Sequence, residues 1–260
     1  MDKKIYLTVS GFNIEIYLTK ASNNVFQDKI KKEIYYSCKE FINVHKPEKI
    51  DYVIKFLETP QIPSFTKKRI FYISLYAEKT KTIETYYQIN STLFLVILKY
   101  ILVKLLGNKG FFLHGSASLI NNKANLFLGK PGSGKSTIIS LINKKYQSLA
   151  DDILILRKEH GQYLVYQTPF LEKIFLTKKS TPYYLGKIFF LKKRKFVKII
   201  KISDKNLIFQ KITAQLFTER KLVKKQILAL FEFTQKTKDF YYFFFKKDEN
   251  LVTNLFLNSY

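Results

Sequence analysis

The chain has 260 residues, 47% of them hydrophobic and 25% charged, enough apolar content for one large domain or two small ones. A single cysteine, Cys38, excludes an internal disulfide framework and any zinc site built from cysteines, so a reducing, cytoplasmic setting is the default expectation. The formal net charge is +25, yet only four of the 45 basic residues are arginine (Arg69, Arg157, Arg194, Arg220). The lysines are spread among Asn, Ile, Phe and Tyr, as A/T-rich codons would place them, which argues against a sequence-reading nucleic-acid surface.

In chain order, "KIYLTV" (4–9) and "FNIEIYL" (12–18) alternate around a Ser-Gly turn and read as a strand pair; no secretory h-region is visible there. A helix is expected around "VFQDKIKKEIYYSCKEFI" (25–42). "DYVIKFLE" (51–58), "RIFYISLYAE" (69–78) and "TIETYYQI" (82–89) read as strands. "STLFLVILKYILVKLL" (91–106) carries Lys99 and Lys104 and is too short to span a bilayer comfortably, so it reads as a buried helix ending at Gly107. No membrane segment is expected.

Strands follow at "FFLHGSASLI" (111–120) and "ANLFLG" (124–129), joined at "NNK", then a helix through "STIISLINKK" (136–145). "LADDILIL" (149–156) and "QYLVYQTP" (162–169) read as strands joined at "KEHGQ". "YYLGKIFFL" (183–191) and "KFVKIIKI" (195–202) read as a further hairpin, with "LKKRKF" (191–196) as its solvated turn. Two helices over about 204–235, an aromatic strand "DFYYFFFKK" (239–247) and a short helix complete the chain. The expected class is α/β with mixed, hairpin-rich sheets, not a regular βαβ alternation. Residues 1–90 are expected to form an accessory region and 91–260 a catalytic domain.

The chemistry concentrates between His114 and Asp152. Gly129, Lys130, Pro131, Gly132, Ser133, Gly134, Lys135 and Ser136 fit the phosphate-loop pattern G-x-x-x-x-G-K-[ST], followed by Thr137. Glycines let successive backbone N–H groups turn inward around an anion, Lys135 reaches the terminal phosphates, and Ser136 can ligate Mg2+. The helix after the loop points its N-terminal partial charge at the same place. Asp151 and Asp152 follow closely and precede an apolar run, a placement unlike that of common P-loop ATPases. Two adjacent carboxylates divide sensibly into one on the metal and one that takes a hydroxyl proton. His114 would sit at the loop end of its strand, within reach of a phosphate oxygen or the catalytic carboxylate.

This succession, "HG", then the phosphate loop, then "ADD", resembles the catalytic domain of HPr kinase/phosphorylase, and more closely the smaller HPr-kinase-like proteins. "QTPF" (167–170), "YLGKIFFL" (184–191) and "FYYFFFKKDENLV" (240–252) extend the resemblance over about 110–260. It implies a core like that of the phosphoenolpyruvate carboxykinases, with ATP and Mg2+ as cofactors and Ser136 and Asp152 on the metal. Asp151 would be the acid/base, with His114 and Lys135 assisting. Thr137 stands where HPr kinases carry glutamate, and no arginine–glycine signature follows the acidic pair. The resemblance therefore implies neither phosphorolysis nor HPr as acceptor.

The expected function is a kinase that moves a phosphoryl group from ATP to a hydroxyl on a protein, peptide or metabolite, with oligomerisation left open. Two rivals stand beside it: a nucleotide-gated binding module with little turnover, and a nucleic-acid-associated ATPase favoured only by charge. Whether Asp151 faces the terminal phosphate across an open cleft separates the first two.

Overall fold

The structure is a computed structural model that describes residues 3–20, 24–58, 76–170, 172, 176–217 and 223–258. It divides into two compact units, Met1–Leu105 and Leu106–Tyr260. The first unit takes all but the last residue of the apolar helix over 91–106.

In that unit, β1 (Lys3–Val9) and β2 (Phe12–Leu18) form the expected hairpin. Ser10 and Gly11 both adopt positive φ, the turn geometry that matches strand twist. Helix α1 (Asn24–Cys38) precedes the two-residue β3 (Ile42–Asn43), and β4 (Tyr52–Leu57) returns parallel to β2. Strands β5 (Tyr76–Lys79) and β6 (Thr82–Tyr86) complete a sheet in the order β3-β1-β2-β4-β6-β5. Most of the strand expected over 69–78 lies outside the described residues.

Alternate residues of β1 and β4 are buried, the pattern of a sheet covered on one face. Helix α2 (Ser91–Leu106) joins this unit through Phe94, whose ring lies 6.4 Å from Phe56 of β4. Glu78 of β5 accepts hydrogen bonds from Tyr52, from Tyr100 at 2.7 Å and from Lys104 at 2.6 Å. Burial alone would raise the Glu78 carboxyl, but the Lys104 ammonium and the two phenols outweigh it and hold it below its ordinary value. A depressed carboxyl stabilises the fold above its unfolded value of about 4.5 and loses that contribution as pH falls through the folded value. Glu78→Gln should therefore lower the melting point near neutral pH and flatten its fall as pH drops below the unfolded value of about 4.5. Thermal melts followed by circular dichroism check both outcomes.

The second unit opens with β7 (Gly110–His114), β8 (Ser116–Ile120) and β9 (Lys123–Leu128). The strand expected over 111–120 is thus two strands parted by Gly115. The loop 129–134 leads into α3 (Lys135–Ile142), then β10 (Ser148–Ala150), β11 (Ile153–Glu159) and β12 (Gln162–Tyr166). Asn121-Asn122 and His160-Gly161 turn the two hairpins with positive φ throughout. The long β13 (Tyr183–Lys193), β14 (Lys198–Lys201), α4 (Lys205–Thr213), β15 (Leu216–Phe217), α5 (Val223–Lys236), β16 (Phe240–Phe245) and α6 (Glu249–Asn258) follow.

Strand order is β10-β8-β9-β13-β12-β11-β7-β15, with β16 on β13 and β14 on β16. The expected 183–202 hairpin does not form. β16 enters between its two arms, parallel to β13 and antiparallel to β14. The reason lies in side-chain character: β16 is aromatic on both faces and belongs inside the sheet, whereas β14 is mostly exposed and suits an edge.

Buried residues alternate between two cores. Leu126, Leu128, Ile188, Phe190 and Phe240 face α4 and α5 through Ile208, Ile212, Leu230 and Phe233. Phe127, Phe189, Phe243 and Phe245 face α3 and α6 through Ile138, Ile139, Ile142, Val252 and Phe256. The fold is mixed α/β with mixed sheets, as expected. Among the described residues no helix is long and apolar enough to cross a membrane.

Candidate functional site

Three parallel strands, β9, β13 and β16, end side by side, with Leu128 beside Phe190 and Lys193 beside Phe245. In open α/β sheets the carboxyl edge of such strands is where ligands gather, because the chain leaves there in loops. The 129–136 loop departs from this edge. Gly132 and Gly134 hold φ of 78° and 102°, a region that side-chain-bearing residues avoid. Gly134 is doubly constrained: a Cβ there would come within 2.5 Å of the Phe245 ring. Lys135 opens α3, is 6% exposed, and folds back so that Nζ donates to the Gly129 carbonyl at 2.8 Å. Ser136 and Thr137 stand partly exposed on the first helical turn. The Ser133 hydroxyl is buried and unbonded.

The other expected residues meet at a seam where the chain passes twice from one half of the sheet to the other. β7 becomes β8 at Gly115, and β10 becomes β11 at Asp151-Asp152. Across the seam His114 pairs with Ile153 and Ala117 with Ala150. Gly115 N–H donates to the Asp152 carbonyl at 2.9 Å. A Cβ at Gly115 would meet the Leu128 side chain at 2.5 Å, so the seam abuts the residue from which the loop departs.

The two carboxylates occupy different environments. Asp151 is 0% exposed; its Oδ1 accepts from Ser116 Oγ at 3.1 Å, and its Oδ2 is buried without a hydrogen-bond partner. The Asp152 side chain is 26% exposed, with Oδ1 lying 3.2 Å from His114 Nδ1. His114 thus lies on Asp152, and Asp151 is enclosed. The cause is the seam itself: Asp151 turns inward beneath β8, while Asp152 turns toward the end of β7.

Glu172 was not anticipated. Its Oε2 accepts from the backbone N–H of both Asp151 and Asp152 at 2.8 Å, fixing the peptide that presents the pair. Burial pushes its carboxyl up to about 7 against the lowering effect of those N–H groups and of Lys178. One signal was available: Glu172 is the sole carboxylate between Glu159 and Asp204.

Among the described residues no group of three or more His, Cys, Asp or Glu side chains could hold a metal ion. A Mg2+ ion that sits on nucleotide phosphates needs less, one or two protein oxygens with the rest from phosphate and water. Asp151 Oδ2, buried without a hydrogen-bond partner, and the Ser136 hydroxyl are each oxygens of the kind such an ion takes.

No family model matches the chain, and no curated protein matches it. Among solved structures it is similar to the HPr(Ser) kinase/phosphatase from Coxiella burnetii, at 13% identity over 57% of this chain and 97% of that one, with a TM-score of 0.31. Identity and superposition at this level do not assign a family.

Proposed function

We propose that the chain is an ATP- and Mg2+-dependent phosphotransferase acting on a hydroxyl, of the HPr-kinase-like kind. The observation that carries this reading is the 129–136 loop: two left-handed glycines, a buried lysine folded over the loop, and a helix starting where an anion would sit. In this reading Gly129, Lys130, Pro131, Gly132, Ser133 and Gly134 wrap the phosphates and Lys135 exchanges the Gly129 carbonyl for a phosphate oxygen. Thr137 flanks the α-phosphate end.

The environments of the carboxylates support exchanging the roles expected from the sequence. Asp152, accessible and backed by His114, takes the proton of the acceptor hydroxyl as its oxygen bonds to the γ-phosphorus and the bond to the β–γ bridging oxygen breaks. ADP leaves with that electron pair. Asp151 and Ser136 would hold Mg2+, which when bound neutralises charge on the terminal phosphates. His114 orients Asp152 and shares the proton, and Glu172 keeps the Asp151-Asp152 peptide in place.

Magnesium–ATP binding tests this reading. Calorimetry should detect binding to the wild type, and Lys135→Ala should weaken it by about 10- to 100-fold, the value of one lost charge-assisted contact. Equal affinities would overturn the phosphate-loop assignment. The complete burial of Asp151 favours a second reading, a nucleotide-gated binding module. Tight binding without transfer to any acceptor would establish that alternative.

A further inference from the structure

A cavity of about 320 Å³ lies against the loop, walled by Gly129, Lys130, Ser133, Lys192, Tyr242 and Gln215 among others. Its place in the fold connects the two halves of the site. Its lining includes Gly129, Lys130 and Ser133 of the loop and also Ala214 and Gln215, just past the end of α4, where the Gln215 carbonyl accepts the His114 backbone N–H at 2.8 Å. The cavity thus lies between the loop and the segment that holds the strand end bearing His114.

Its charge is one-sided. Lys192 Nζ sits over the Tyr242 ring at 4.0 Å and Lys211 Nζ at 5.2 Å, while Lys130 stands at the rim. Lys192 and Lys211 are both partly buried residues. Among the described residues none of the three lysines makes a salt bridge to a carboxylate, whereas Lys104, Lys158 and Lys246 do. Two cations gathered at one ring repel each other, and a bound anion would relieve that repulsion.

A second cavity, of about 280 Å³, lies beside Thr137 and is lined by Lys193, Arg194, Phe245 and Lys246. Successive residues of β13 alternate faces, so Lys192 and Lys193 point to opposite sides of the sheet. The Thr137 side adjoins the α-phosphate end of a phosphate loop and suits the nucleoside. The Lys192 side is left for the acceptor.

We propose that the cavity between the loop and Gln215 is the acceptor subsite, and that it takes a small hydroxyl-bearing anion whose carboxylate or phosphate rests on Lys192 and Lys211. This deepens the kinase reading and depends on it for the transfer itself. The volume lies in the small-molecule range.

The test is a titration that keeps the two readings apart. With the loop saturated by Mg2+ and a non-hydrolysable ATP analogue, D-glycerate, glycerol 3-phosphate and neutral glycerol are titrated by calorimetry. At least one anion should bind and glycerol should not; the two anions distinguish a carboxylate from a phosphate anchor. Lys192→Gln/Lys211→Gln should weaken the anion by about 10-fold or more while analogue affinity changes little. Failure of both anions to bind, or unchanged anion affinity in the double variant, overturns the subsite. A parallel loss of analogue affinity in the double variant also overturns it, since the cavity would then hold the nucleotide. If the wild type fails to bind the analogue, the kinase reading falls. The same anions titrated into Lys135→Ala protein then decide the subsite alone.

Discussion

Asp152→Asn should leave magnesium–ATP affinity within a few-fold of wild type and cut phosphoryl transfer roughly 10²- to 10⁴-fold, the usual worth of general-base catalysis. The side chain keeps its size and its neighbour His114, so the loss would be chemical and not structural. Asp151→Asn should behave differently. It changes a carboxylate whose Oδ2 has no protein partner, so the expected effect is a weaker Mg2+ dependence of nucleotide binding together with lower turnover. Radiolabelled ATP with a cell lysate as acceptor source, run with both variants, gives the readout. A labelled species that persists with Asp152→Asn and disappears with Asp151→Asn would return the base to Asp151.

The largest stability effect should come from Phe189→Ala. The Phe189 ring is 0% exposed and lies within 5.5–5.8 Å of the rings of Phe127, Tyr241, Phe243 and Phe256. Deleting a fully buried phenyl costs about 3–5 kcal/mol, from lost transfer energy and the void left behind. In a unit of this size that is roughly a 10 °C fall in its melting point. Phe189→Leu should cost markedly less. Differential scanning calorimetry checks the order, and equal losses would show that the cluster relaxes around the gap.

Local chemistry made much of this structure readable in advance. The hairpins turning at Ser10-Gly11, Asn121-Asn122 and His160-Gly161 are contacts between near neighbours, set by residues that tolerate positive φ. The loop glycines and Lys135 are legible for the same reason, since their spacing is their geometry. Contacts between distant segments were not legible. "LKKRKF" reads as a solvated turn because nothing nearby shows that β16 will pair between its flanking strands. Only that pairing brings Lys192 and Lys193 to the cavities flanking the loop. Glu172 was missed likewise, because its partners are backbone N–H groups, which carry no side-chain signature. Which of Asp151 and Asp152 turns inward was not legible either, since two identical neighbours cannot reveal it.

The insertion of β16 between β13 and β14 also has a kinetic meaning. Leu126 must find Ile188, and Ile188 must find Phe240, before the carboxyl edge exists. Such distant parallel pairings pay loop-closure entropy ahead of any reward and form late. The ring that closes over Gly134 belongs to Phe245, in the last strand to arrive. During synthesis the loop would therefore emerge long before the surface that shapes it. In the proposed reading, nucleotide capture should then report completed folding, appearing with the final refolding phase rather than with early helix formation.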